Sequence, residues 1–203
     1  PEGIFPQQVM QQLEAVFERM QESLILEFYL DEKAISEELR SYMEELAQLT
    51  PKLTVRKSTE SAEHVPLVRV LRSDGSDSGL AFHGVPGGHE FTSFIMGLYN
   101  VAGPGQALDG ETMGRIKALD APTDMQIFVS LSCTMCPELV IAAQHIAALN
   151  PNVRTEAYDL NHFPALKETY NVMSVPCLVL NGEKVLFGKK SISQLLDMLE
   201  QQE

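Results

Sequence analysis

Tryptophan is absent from this 203-residue chain, and there are only three cysteines. Aromatic residues make up 7%, too few to suggest the stacking platforms that hold single-stranded nucleic acid. Basic residues are scarce as well. Fifteen Lys+Arg stand against 28 Asp+Glu, for a formal net charge of −13. Phosphate backbones need a concentrated Lys/Arg face, so a nucleic-acid partner is excluded on charge. No apolar run approaches the roughly 20 residues of a membrane helix. No basic, apolar leader opens the chain, and an odd cysteine count does not resemble a disulfide-stapled secreted scaffold. A cytoplasmic location without membrane contact is therefore expected.

What is present is ordinary for a folded protein, with 44% hydrophobic and 21% charged residues. At roughly 150 residues per domain, the length allows one or two domains. The chain begins at Pro1 rather than Met, which reads as a processed protein or a piece cut from a longer one. Residues 1–8 read as a linker into a helix.

The second half has the clearer pattern. Met125 to Leu131 is rich in apolar and β-branched residues and predicts a buried strand. Cys133-Thr134-Met135-Cys136 follows at once, and Pro137 stands where the first turn of a helix accepts proline. Glu138 to Leu149 carries apolar residues at helical spacing and ends at Asn150-Pro151-Asn152. Val153 to Tyr158 predicts a strand, Phe163 to Tyr170 a short helix, and Val175 to Leu180 another strand. Asn181-Gly182 predicts a hairpin turn into a strand at Lys184 to Phe187. Ser191 is placed to cap a last helix ending near Leu199. A dithiol beside such a β-α-β order points to a thioredoxin-like module. In the fold this order resembles, the bond before the proline of the Val-Pro strand is cis, and Val175-Pro176 is expected to share that.

The first half repeats the plan. Leu24 to Leu30 predicts a strand and Lys33 to Leu49 a helix. Thr50-Pro51-Lys52-Leu53 mirrors Asn150-Pro151-Asn152-Val153, and Val65-Pro66-Leu67 mirrors Val175-Pro176-Cys177. Gly79 to Gly84 mirrors the arm from Lys184 to Gly188. The expected fold is thus α/β, with two tandem thioredoxin-like units forming one compact double-fold domain. The units are expected at 9–105 and 106–203. Where the second has its cysteines, the first has Asp31-Glu32-Lys33-Ala34-Ile35-Ser36 and no nucleophile.

The thiolate is the form that attacks disulfides, and a free thiol near pKa ~8.5 is mostly protonated at neutral pH. A helix N-terminus, with unpaired N–H groups and partial positive charge, favours the anionic sulfur. Cys133 lies at or just before such an end and is expected to attack. Cys136, a turn deeper, is expected to resolve the mixed disulfide.

Two tandem units of this kind, with Ser132-Cys133-Thr134-Met135-Cys136-Pro137 only in the second, resemble the N-terminal domain of the alkyl hydroperoxide reductase flavoprotein (F) subunit. The resemblance runs from about Met10 to the C-terminus. It includes Gly84-Val85-Pro86-Gly87-Gly88-His89-Glu90-Phe91-Thr92-Ser93 and Val172-Met173-Ser174-Val175-Pro176. It implies a thiol–disulfide relay. Electrons would pass from a thioredoxin-reductase-like flavoprotein module to the disulfide of a peroxiredoxin. Cys133 and Cys136 would be the redox pair, with Pro176 lying against them. Glu90 would approach from the first unit. No Gly-x-Gly-x-x-Gly follows a strand in this chain, so FAD and NAD(P)H are expected on the reductase partner or module.

Blander readings stand beside these. Cys-x-x-Cys can be half a zinc site, but the other ligands are scarce, since zinc takes four. A general protein disulfide reductase or a non-catalytic interaction module would carry the same fold. Cys177 reads as a small buried hydrophobe and the methionines as core filler. His83 and His89 read as turn and cap residues, His64, His145 and His162 as surface positions. Glu90 also fits a plain first-turn carboxylate.

Overall fold

The computed structural model describes residues 3–202, so Pro1 and Glu2 of the expected linker lie outside the described residues. Helix α1 (Gln7–Arg19) begins inside that stretch. Just before it, buried Phe5 packs edge-on against Tyr42, with 5.1 Å between ring centroids. The first half continues with β1 (Leu24–Tyr29), α2 (Ala34–Gln48), β2 (Leu53–Lys57), β3 (Leu67–Arg72), β4 (Asp77–His83) and α3 (Glu90–Ala102). Helix α4 (Gly110–Lys117) leads into β5 (Thr123–Val129), α5 (Cys136–Leu149) and β6 (Val153–Asp159). After a 3₁₀ turn come α6 (Pro164–Thr169), β7 (Cys177–Leu180), β8 (Lys184–Phe187) and α7 (Ile192–Glu200).

All eight strands form one sheet in the order β2-β1-β3-β4-β6-β5-β7-β8. Each half has the same plan. β1 pairs parallel with β2 and antiparallel with β3, which pairs antiparallel with β4. β5 pairs parallel with β6 and antiparallel with β7, which pairs antiparallel with β8. The halves join through a parallel β4–β6 pair, with Leu80 opposite Thr155 and His83 opposite Tyr158.

Local chemistry explains the element ends. Ser191 and Gln194 form a reciprocal capping box at the start of α7. Asn181 and Gly182 both have positive φ, 54° and 71°, as a tight hairpin of this type requires. Helix α4, not anticipated from the sequence, is capped by the Asp109 carboxylate accepting the Thr112 N–H. The first half has no counterpart of α6. Between β2 and β3, residues 58–66 are irregular. That run, Ser-Thr-Glu-Ser-Ala-Glu-His-Val-Pro, has no apolar stripe to bury.

Helix α5 is apolar nearly all round, and Leu139, Val140, Ala143 and Ile146 are completely buried. Burying each of its larger aliphatic side chains is worth about 1.5–3 kcal/mol. Helix α3 lies alongside it in parallel. At Gly97 the helices approach closely, and an added Cβ would sit 2.8 Å from Gln144 Oε1 and 3.0 Å from Leu80 Cδ2. The Arg72 guanidinium donates to the carbonyls of Val101 and Ala148, near the C-termini of α3 and α5. A cation there meets the negative ends of both helices.

The opposite face of the seam is polar. His83 is buried at the end of β4, not a turn residue as expected. Its Nε2 lies 2.7 Å from Glu156 Oε1 and its ring stacks on Tyr158 at 4.0 Å. Burial pushes the Glu156 carboxyl up, but His83, Arg69 and Arg154 outweigh it and hold the group at about 2. His145, expected at the surface, is buried on α5, and burial lowers its pKa. Among the described residues, no helix is long and apolar enough to cross a membrane.

Candidate functional site

β5 and α5 deliver the cysteines. β5 ends at Val129, the chain turns with the Cys133 N–H donating to the Ser130 carbonyl, and α5 opens at Cys136. Pro137 occupies the first turn, where its missing N–H costs nothing. Cys133 and Cys136 form a disulfide with a Cα–Cα distance of 5.6 Å. Cys136 is fully buried and Cys133 half-buried, so the outer sulfur faces the approach side. Thr134 and Met135 between them are exposed.

The segment before β7 closes over the pair. The Val175-Pro176 bond is cis, and the Val175 carbonyl oxygen lies 4.0 Å from Cys133 Sγ. The first half keeps the corresponding cis bond at Val65-Pro66. At its β1–α2 junction, however, the Asp31 carboxylate accepts the Ser36 hydroxyl and the Lys33 N–H, an ordinary Asx turn. Cys177 follows the proline and is buried, and burial raises its thiol pKa to about 11. A thiol held there stays protonated and inert.

The first half also reaches the dithiol loop. The His89 N–H donates to the carbonyl of Leu131, two residues before Cys133. Gly88 makes that approach possible. Its φ is +53°, and a Cβ would lie 2.6 Å from the Leu131 oxygen. The glycine-rich run before His89 was the only signal of this contact in the sequence.

Glu90 opens α3 and is completely buried. Ser93 donates its hydroxyl to Oε1 at 2.6 Å, while Oε2 is buried without a hydrogen-bond partner. Burial raises the carboxyl to about 7, against the smaller opposing effect of Ser93. Two contacts set the register of the parallel helices, Gly97 against Gln144 and Arg72 bridging Val101 and Ala148. Both pairs are 47 apart in sequence, so at the other end Glu90 is level with Pro137, next to Cys136. The exposure of Met135 (51%) and Met173 (76%) was not legible in the sequence, where methionine reads as core filler.

A thioredoxin domain family model matches residues 123–200. The crystal structure of an N-terminal domain of the Enterococcus faecalis alkylhydroperoxide reductase AhpF superposes with a TM-score of 0.92. It is 35% identical and covers 96% of this chain, which in turn covers 99% of it. The chain belongs to the family of N-terminal domains of alkyl hydroperoxide reductase flavoproteins. The family's full-length members are longer. The F subunit of Pseudomonas aeruginosa is 33% identical over 93% of this chain, and the chain spans 36% of that relative's length. A protein disulfide oxidoreductase from Aeropyrum pernix, 21% identical with a TM-score of 0.83, shares the fold. A disulfide-forming pair on a thioredoxin-like domain of this family makes the chain a thiol–disulfide oxidoreductase.

Proposed function

We propose that the chain relays electrons from a thioredoxin-reductase-like flavoprotein module to the disulfide of a peroxiredoxin. The observation that carries this reading is a single Cys133–Cys136 disulfide at the tip of the central helix α5 in a duplicated fold whose other copy has no cysteine pair. The flavin and nicotinamide cofactors reside on the reductase module, in keeping with a relative of which this chain spans 36%. The division into units at 9–105 and 106–203 is proposed on the repeated strand order. A cytoplasmic location is proposed because the dithiol must be re-reduced in each cycle.

In this reading the Cys133 thiolate attacks one sulfur of the partner's disulfide. The new bond joins Cys133 Sγ to that sulfur, and the other partner sulfur leaves as a thiolate and takes a proton. Cys136, deprotonated, then attacks Cys133 Sγ. The first partner sulfur is released and the internal disulfide closes. Two electrons and two protons pass to the partner. The half-buried position of Cys133 and full burial of Cys136 support this order. Pro176 presents no N–H to the sulfurs, which supports its place against the pair. Glu90 is proposed to accept the proton Cys136 gives up, because a carboxyl poised near neutrality exchanges protons readily at cellular pH.

The test mixes reduced chain with an oxidised two-cysteine peroxiredoxin and follows peroxide consumption. The relay predicts transfer that Cys133→Ser abolishes. It also predicts a rate well above that for insulin disulfides. Equal rates on both substrates would mark a general disulfide reductase, and no transfer to either would leave an interaction module.

A further inference from the structure

The chain has nine methionines, and their distribution is uneven. Met20, Met43 and Met125 are buried, and Met10, Met96, Met113 and Met198 are half-buried. Met135 and Met173 are exposed, at 51% and 76%. They account for two of the four exposed large apolar side chains among the described residues. Both belong to the two segments that meet at the disulfide. Met135 sits between the cysteines, directly before Cys136. Met173 is two residues before Val175, whose carbonyl oxygen is 4.0 Å from Cys133 Sγ. The segment carrying Met173 is anchored on both sides of it, by the buried Val172, whose N–H donates to the Lys167 carbonyl, and by the buried Pro176, whose carbonyl accepts the Gly188 N–H. The thioether is therefore displayed from a fixed backbone.

We propose that Met135 and Met173 form a paired oxidation site for hydroperoxides, and that their sulfoxides slow electron delivery from the adjacent dithiol. The second half of this statement rests on the relay reading above. Each thioether sulfur attacks the terminal oxygen of the hydroperoxide. A sulfur–oxygen bond forms and the O–O bond breaks. Sulfur loses two electrons and becomes a sulfoxide, and the hydroperoxide, gaining two, leaves as an alcohol after its proton moves to the departing oxygen. Access selects these two side chains, because three of the other seven are buried and four are half-buried. The change replaces two flexible apolar groups beside the disulfide by polar, chiral ones. A partner whose disulfide must reach the half-buried Cys133 then meets polar groups where it would have desolvated apolar ones. Methionine sulfoxide reductases reverse the change.

The test starts from the full chain in its disulfide form, which protects both cysteines. It is exposed to tert-butyl hydroperoxide and mapped by peptide mass. The expected result is one added oxygen on the Met135 and Met173 peptides at least about tenfold faster than on the other seven. Even labelling, or labelling led by another methionine, would overturn the site. The treated chain is then reduced with dithiothreitol and its transfer to oxidised peroxiredoxin timed. The rate should fall about threefold or more, return after methionine sulfoxide reductase treatment, and stay unchanged by peroxide in Met135→Leu/Met173→Leu. An unaltered rate in the treated chain would overturn the control of electron delivery. If untreated chain did not reduce the peroxiredoxin, the relay reading would fall, and insulin would serve as acceptor for the same comparison.

Discussion

Glu90→Gln isolates the energetics of the buried carboxyl that opens α3. Glutamine has the shape of the neutral acid and keeps an oxygen to accept the Ser93 hydroxyl. Burial moves the Glu90 carboxyl from an ordinary 4.5 to about 7. At 1.36 kcal/mol per pKa unit, that difference corresponds to about 3 kcal/mol in favour of the neutral form. The folded pKa lies above the unfolded one, so the folded state binds this proton more tightly. The stability this group contributes is fully present below about pH 4.5 and is lost as pH rises through 7. Wild type should therefore lose about 2 to 3 kcal/mol relative to Glu90→Gln between pH 5 and pH 8. Urea unfolding of both proteins in the disulfide form, followed by circular dichroism at the two pH values, measures the change. The comparison cancels every other titrating group. A gap that does not widen with pH would refute the claim that Glu90 is buried without charge compensation.

Two further outcomes follow from the geometry. Gly88→Ala should cost about 1–2 kcal/mol, from the left-handed φ and from the push of the new Cβ against the Leu131 oxygen. Thermal unfolding measures the loss, and an unchanged midpoint would mean that the His89–Leu131 contact does not position the dithiol loop. In a Cys133→Ser/Cys136→Ser background, Cys177 should resist a thiol reagent at pH 8 in the native state and react at once in urea, since burial holds its pKa near 11. Rapid native labelling would show that the β7 thiol is accessible.

The elements were largely legible because their signals are local. β8 occupies the predicted residues, and most other predicted elements shift by one or two at an end. Alternation, capping residues and the Asn181-Gly182 turn depend on neighbours in sequence. The thioredoxin-like reading of the second half needed only the spacing of Cys133 and Cys136 and the strand-helix order around them. His83 and His145 were misread for the opposite reason. A polar residue looks like surface until its partner is known, and His83 finds Glu156 73 positions away. Likewise, nothing near Met135 and Met173 in sequence distinguishes them from methionines that fill the core.

The sequence alone determined the duplicated plan, the position of the dithiol at a helix start and the lack of one in the first half. The residues that encode these features lie side by side in the chain. Only the tertiary structure decided that β4 and β6 join the halves into one sheet and that α3 and α5 run in register. From this follow the burial of Glu90 at the start of α3 and the pinning of the dithiol loop by Gly88 and His89. These depend on contacts between distant segments, where packing and desolvation rather than local preference set the energy.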